Sequence, residues 1–182
     1  MAQEFIRDSH RSTVGIAIVE AWADTLPTRA RVLDLACGPG TPRTDVLANR
    51  GFSLHAIDAA PTLVNAYRLR FPSARVACEP VEESSFFGAT FDGVMAWGLM
   101  FLLPADTQRA LIPRVARALR PGGKFLFTAP WQVGTWEDFS TKRPSLSLGA
   151  NAYKALLADA GLTVRAEYED EGENHYYDAL KP

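Results

Sequence analysis

Cysteine and histidine are scarce in this chain: 182 residues include two of the first and three of the second. Cys37 and Cys78 belong to no CxxC pair and to no Cys/His cluster, which excludes a disulfide framework and a structural zinc site. No metal is expected, and the reading fits a reducing cytoplasmic compartment. An excess of either charge is also lacking. With 19 Lys and Arg against 21 Asp and Glu, the net charge of −2 supplies no global attraction for nucleic acid or an anionic membrane. Long apolar runs are absent too: the longest uncharged stretch, residues 93–105, is well short of the ~20 residues that span a bilayer. The first eight residues carry two acids and no apolar core, unlike a secretory leader. The expectation is a soluble cytoplasmic protein, one domain over 1–182, with no nucleic-acid or membrane partner. Nothing here speaks to its oligomeric state.

What the chain does have is an alternation. From residue 31 onward, short β-branched or apolar runs at 31–36, 52–58, 74–78, 91–97 and 124–129 are separated by segments of helical period at 41–49, 61–70 and 105–119. Such alternation is the signature of βαβ units around a parallel sheet. Pro61 suits a first helical turn, and Arg120-Pro121-Gly122-Gly123 reads as a helix stop leading into a strand. Pro113 should kink the third helix or move its start. A further helix is expected at about 12–24, a loop over 130–148, a helix at 147–160, and two antiparallel strands, 162–168 and 174–180, joined by an acidic turn. The fold class is therefore α/β: a Rossmann-like, doubly wound sheet of about seven strands, mostly parallel, with an antiparallel C-terminal hairpin.

The first strand runs into Asp34-Leu35-Ala36-Cys37-Gly38-Pro39-Gly40, a glycine-containing turn between a buried strand and a helix N-terminus. Backbone can approach a ligand closely there. The second strand ends at Asp58, twenty residues beyond Gly38, the spacing that sets a carboxylate beside a ribose diol. One half of the ligand is then a nucleoside. The bland alternative is a tight turn with Asp58 merely capping the helix from Pro61. Position 43, where a dinucleotide fingerprint has its third glycine, is Arg43, and Asp34 sets a fixed negative charge beside the loop. Both argue against a pyrophosphate such as NAD and for a ligand carrying an ammonium and a sulfonium.

These residues resemble the class I S-adenosylmethionine-dependent methyltransferases over about 31–130. Val32 to Gly40 is similar to the family's first motif, with Ala36 where glycine is usual. The resemblance implies that Ala36, Gly38 and Gly40 approach the methionyl part of S-adenosylmethionine, with Asp34 near its ammonium. It likewise implies that Asp58 accepts the ribose hydroxyls with Ala59 beside the adenine. Cys78-Glu79-Pro80 resembles the family's Gly-Asp-Ala segment, which sets Glu79 and Pro80 at the adenine amine. Phe91 to Gly98 resembles the fourth-strand motif, whose end, Ala96 and Trp97, faces the sulfonium. The product would be S-adenosylhomocysteine.

The chemistry so implied is displacement at an already activated methyl group, and aligning and desolvating the nucleophile is most of the task. A general base is optional, with His10 and His175 the candidates; His55, between Leu54 and Ala56 in mid-strand, reads as core. Met100, Trp131, Trp136 and His175 are the expected acceptor-side residues. Strand four ends in Ala96-Trp97-Gly98-Leu99, not the Asn/Asp-Pro-Pro-aromatic motif of nucleic-acid amino-methyltransferases, and no acid pair follows to clamp a guanidinium. A small-molecule acceptor is the leading expectation. A nucleic-acid or protein methyltransferase and a catalytically silent partner of the same fold are the alternatives.

Overall fold

The computed structural model describes residues 6–7, 11–138 and 142–182. Its elements in chain order are α1 (Ile16–Ala23), β1 (Arg31–Leu35), α2 (Pro42–Asn49), β2 (Ser53–Asp58), α3 (Pro61–Arg70), β3 (Arg75–Cys78), β4 (Phe91–Ala96), α4 (Ala105–Ala118), β5 (Leu119–Thr128), β6 (Gly134–Glu137), β7 (Pro144–Ser147), α5 (Ala150–Asp159), β8 (Thr163–Glu169) and β9 (His175–Leu180). Seven strands form one sheet in the order β3-β2-β1-β4-β5-β9-β8. The pairs among β1 to β5 are parallel, and β9 lies antiparallel between β5 and β8. Strand order reverses between β1 and β4, so a crevice opens beyond their carboxyl ends.

Each central strand feeds both faces alternately, as a strand between two helical layers must. Leu33, Leu35, Val94, Phe125, Phe127 and Tyr177 pack with Leu111, Ile112 and Val115 of α4 and Tyr153 and Leu157 of α5. Val32, Ala56, Met95, Leu126 and Tyr176 pack with Trp22 of α1, Leu47 of α2 and Tyr67 of α3. Asp34, Asp58 and Trp97 share the residue parity of that second set, which brings them to one side of the crevice. His175 has the parity of Tyr177 and belongs to the other.

Three expectations need correction. Segment 130–148 is not only loop: β6 and β7 form a two-stranded sheet of their own. Gly134 to Glu137 are largely solvent-exposed, so no inward-outward alternation marks the strand. The helix α4 starts at Ala105 and is continuous through Pro113, so the proline does not move its start. The amide that Pro113 lacks would face the carbonyl of Arg109, an exposed residue whose oxygen can turn to water. Finally, β5 begins at Leu119, with the Pro-Gly-Gly turn bulging out of the strand between Leu119, opposite Phe91, and Lys124, opposite Gly93. Among the described residues no helix is long and apolar enough to cross a membrane, and no group of three or more His, Cys, Asp or Glu side chains is placed to hold a metal ion.

Candidate active site

The loop after β1 turns by placing three residues in the left-handed region: Ala36 at φ 54°, Gly38 at 57° and Gly40 at 76°. Glycine is required at Gly40 for space as well, since a Cβ there would lie 2.4 Å from Phe71 Cε2. Ala36 carries its Cβ in a conformation that L-residues avoid. The loop is tied to the next strand through one carboxylate. The Gly38 N–H donates to Asp58 Oδ2 at 2.9 Å and the Ala60 N–H to Asp58 Oδ1 at 2.8 Å. An ionised carboxylate has about four lone-pair sites, so two remain for a ligand. Asp58 bonds the amide of Ala60, the residue before α3, and not an amide of the helix's first turn, while the same carboxylate holds the glycine loop.

Asp58 pairs in register with Cys78, and the Glu79 N–H donates to the Asp58 carbonyl at 3.1 Å. Ala59 therefore stands beside half-buried Glu79 and Pro80 at adjacent strand ends. Asp34, Ala36, Gly38, Gly40, Asp58, Ala59, Glu79, Pro80, Ala96 and Trp97 all come together along the carboxyl edge of four neighbouring strands.

Asp34 is buried and takes one hydrogen bond, 3.0 Å from the Thr44 hydroxyl. Burial pushes its carboxyl up to about 7, against the pull of Thr44 and Arg43. No cation lies within ion-pair distance of it among the described residues, so a ligand ammonium would find a carboxylate short of a partner. Arg43 is buried as well. Its Nη1 donates to the Val14 carbonyl at 2.6 Å and its guanidinium lies 3.5 Å above the Trp97 ring. Trp97 Nε1 donates to Tyr176 Oη at 2.7 Å, and Tyr176 donates in turn to Asp170 Oδ2 at 2.7 Å. Asp170 Oδ1 accepts from Gly172, from the Asn174 amide and from its side chain, which fixes the acidic turn. Gly15 closes the arrangement: its N–H donates to Glu171 Oε2, and a Cβ there would sit 2.0 Å from Tyr176 Oη.

Next to this crevice, at the ends of β5 and β9, lies a cavity of about 280 Å³ walled by Phe101, Thr128, Trp136, Asp138, Asn174 and His175. Phe101 and Trp136 form a tilted aromatic pair with centroids 5.8 Å apart. Of the expected acceptor-side residues, Trp136 and His175 line this cavity. Met100 does not: it is fully buried in the core, because the 3-10 turn Met100–Leu102 directs the neighbouring Phe101 to the cavity instead. Trp131 is 55% exposed and does not line it. His10 lies outside the described residues. His55 is core: buried, edge-on to Phe87 and Phe91, and pushed down in pKa by burial. Sequence reasoning missed Thr128, Thr44 and the Tyr176–Asp170 pair. The polar-aromatic run Asn174-His175-Tyr176-Tyr177 was the one signal that pointed to the last of these.

Residues 32–123 match the family model described as a methyltransferase domain. The ubiquinone biosynthesis O-methyltransferase of Xanthomonas axonopodis pv. citri is 30% identical over 161 residues, 86% of this chain and 59% of that one. Trans-aconitate 2-methyltransferase of Variovorax paradoxus is 34% identical over 107 residues, 58% of this chain and 40% of the relative. The chain thus spans less than two thirds of the length of the curated relatives it matches. Among solved structures, CalS10, an amino pentose methyltransferase from Micromonospora echinaspora with bound SAM, superposes with a TM-score of 0.75 at 20% identity, covering 92% of this chain and 90% of the other. Burkholderia thailandensis 1,6-didemethyltoxoflavin-N1-methyltransferase gives 0.73 at 23% identity, over 92% and 76%. At those identities the likeness is one of fold.

Proposed function

Since the chain belongs to the methyltransferase domain family, we propose that it transfers a methyl group from S-adenosylmethionine to a small-molecule acceptor, with the donor in the crevice between β1 and β4 and the acceptor in the Phe101–Trp136–His175 cavity. The observation that carries this reading is the shared carboxylate of Asp58. It holds the Gly38 amide and still has lone pairs for two ribose hydroxyls, so the loop and the sugar would be positioned by the same group.

The residues fit such a donor in charge as well as shape. Asp34 is a buried carboxyl held by a single hydroxyl, and an ammonium beside it would let it ionise. A pyrophosphate in that place would meet repulsion. Gly38 and Gly40 would face the methionyl part, while Ala59, Glu79 and Pro80 stand where an adenine would extend from the ribose. Ala96 and Trp97 would border the sulfonium. When bound, the donor supplies a methyl carbon already activated for displacement. The protein's own contribution is to orient the acceptor and keep water from it, which the aromatic walls of Phe101 and Trp136 support. The acceptor cavity is just below the usual range for small-molecule sites, which suits an acceptor of one or two rings.

Mass spectrometry of the purified protein tests this reading. Retained S-adenosylmethionine or S-adenosylhomocysteine is the expected finding, followed by a thermal shift when S-adenosylhomocysteine is added. Retained nicotinamide or flavin dinucleotide would contradict it.

A further inference from the structure

The acceptor cavity contains a feature that shape and desolvation alone do not need. His175 Nε2 lies 2.9 Å from Glu167 Oε2, on neighbouring antiparallel strands, and the other oxygen of Glu167 accepts from Lys154 Nζ at 2.7 Å. The Lys154 hydrogen bond, with help from His175, holds the Glu167 carboxyl below its ordinary range despite partial burial. An ionised Glu167 can only accept, so a proton sits on Nε2 and, in the neutral imidazole, Nδ1 carries none. Nδ1 is then the bare nitrogen. It has no hydrogen-bond partner among the described residues, yet it is not one of the sealed, unpartnered buried atoms. Tyr177 stands edge-on to the ring at 4.8 Å and limits its rotation. Around the ring the charged neighbours are Glu167 and Lys154 behind it, Glu169 opposite it in register, and Glu173 and Asp138 on the cavity wall.

Resting on the methyltransferase reading above, we propose that His175 is the catalytic base for a neutral aromatic hydroxyl acceptor, with Glu167 as the residue that positions it. Three features select that acceptor class. The Phe101–Trp136 pair suits a planar ring. The acid Glu173 on the cavity wall disfavours a carboxylate acceptor. A bare Nδ1 serves a nucleophile that must lose a proton to react, which describes a hydroxyl and not a neutral amine. Nδ1 takes the hydroxyl proton as the oxygen–methyl bond forms and the carbon–sulfur bond breaks, the electron pair leaving with sulfur. The imidazolium then passes its proton to water. Glu167 steadies the charged ring without taking the proton.

Calorimetry with S-adenosylhomocysteine comes first, because failure to bind would defeat the methyltransferase reading itself. In protein loaded with that ligand, ring nitrogen NMR should show neutral His175 with its proton on Nε2, and Glu167→Gln should shift population to the other tautomer. A wild-type His175 protonated on Nδ1 overturns the proposal. Turnover is then read on phenol, 4-nitrophenol and a primary aromatic amine with a labelled methyl donor. His175→Gln should lower kcat on phenol by about 100-fold or more while leaving S-adenosylhomocysteine affinity within about twofold. The loss should fall below about tenfold on 4-nitrophenol at a pH where it is already ionised. Equal losses on both phenols, use of the amine in preference to phenols, or no turnover of either phenol by the wild type would each overturn it.

Discussion

The Arg43 guanidinium carbon lies 3.5 Å from the centre of the Trp97 ring, joining the first turn of α2 to the end of β4 across the crevice. Trp97 continues the chain of contacts through Tyr176 to Asp170 and so reaches the acidic turn between β8 and β9. A buried cation over an aromatic face contributes on the order of 2 kcal/mol, and each hydrogen bond in the chain is costly to break from one side.

Tyr176→Phe tests the chain at its middle. It leaves Trp97 Nε1 without its acceptor and takes one donor from Asp170, at a cost of about 1–3 kcal/mol. For a chain of this length that is roughly 2–4 °C in Tm per kcal/mol. Thermal unfolding should show the loss, whereas Tyr168→Phe, on a 40% exposed side chain, should leave Tm within a degree or so. Equal Tm values for wild type and Tyr176→Phe would show that the turn is held by other contacts.

Asp34 gives a pH dependence of definite sign. Its folded-state pKa, pushed up by burial to about 7, is above its unfolded value, so the folded chain binds that proton more tightly. The stabilisation is complete below about pH 4 and is lost as pH rises through 7. Relative to Asp34→Asn, the ligand-free wild type should therefore lose stability across that window, by several kcal/mol at most. A ligand ammonium reverses the preference, so S-adenosylhomocysteine affinity should rise by up to about tenfold per pH unit below 7 and level off above. Denaturant unfolding and calorimetry from pH 5 to 8 check both halves. Affinity that falls with rising pH would contradict the placement of the ammonium beside Asp34.

Ala36 sits at φ 54°, where a Cβ costs about 1–2 kcal/mol. Ala36→Gly removes that strain against an unfolded-state entropy cost of about 0.5–1 kcal/mol, so a gain of up to about 1 kcal/mol is expected. Ala36→Val should destabilise by more than that, through its branched side chain. Chemical denaturation of the three proteins gives the order Gly, Ala, Val; Val above Ala would mean that the loop is not held in this conformation.

The parts of this architecture that follow from local pattern were legible from residues alone. Short β-branched or apolar runs marked β1 to β5, and the twenty-residue interval from Gly38 to Asp58 appears in the structure as a direct 2.9 Å hydrogen bond. What escaped was set by distance along the chain. Nothing near Arg43 indicates that its guanidinium will meet Trp97, because the two become neighbours only when β4 takes its place beside β1. The same holds for Tyr176, whose hydroxyl partner Trp97 is 79 positions away. Met100 and Phe101 were indistinguishable as apolar residues; the 3-10 turn decides which one faces the cavity. The β6 strand escaped for a different reason, since it is exposed and has no buried face to leave a pattern.

The most direct measurement is a calorimetric titration of wild type and Asp58→Ala with S-adenosylhomocysteine and, separately, with NAD. S-adenosylhomocysteine should bind the wild type, and Asp58→Ala should weaken it on the order of 100-fold through the loss of two charge-assisted hydrogen bonds. NAD should give no binding heat with either protein. Tight binding of NAD by the wild type, or S-adenosylhomocysteine affinity unchanged in a folded Asp58→Ala, would contradict the assignment of the β1–β4 crevice as the methyl-donor site.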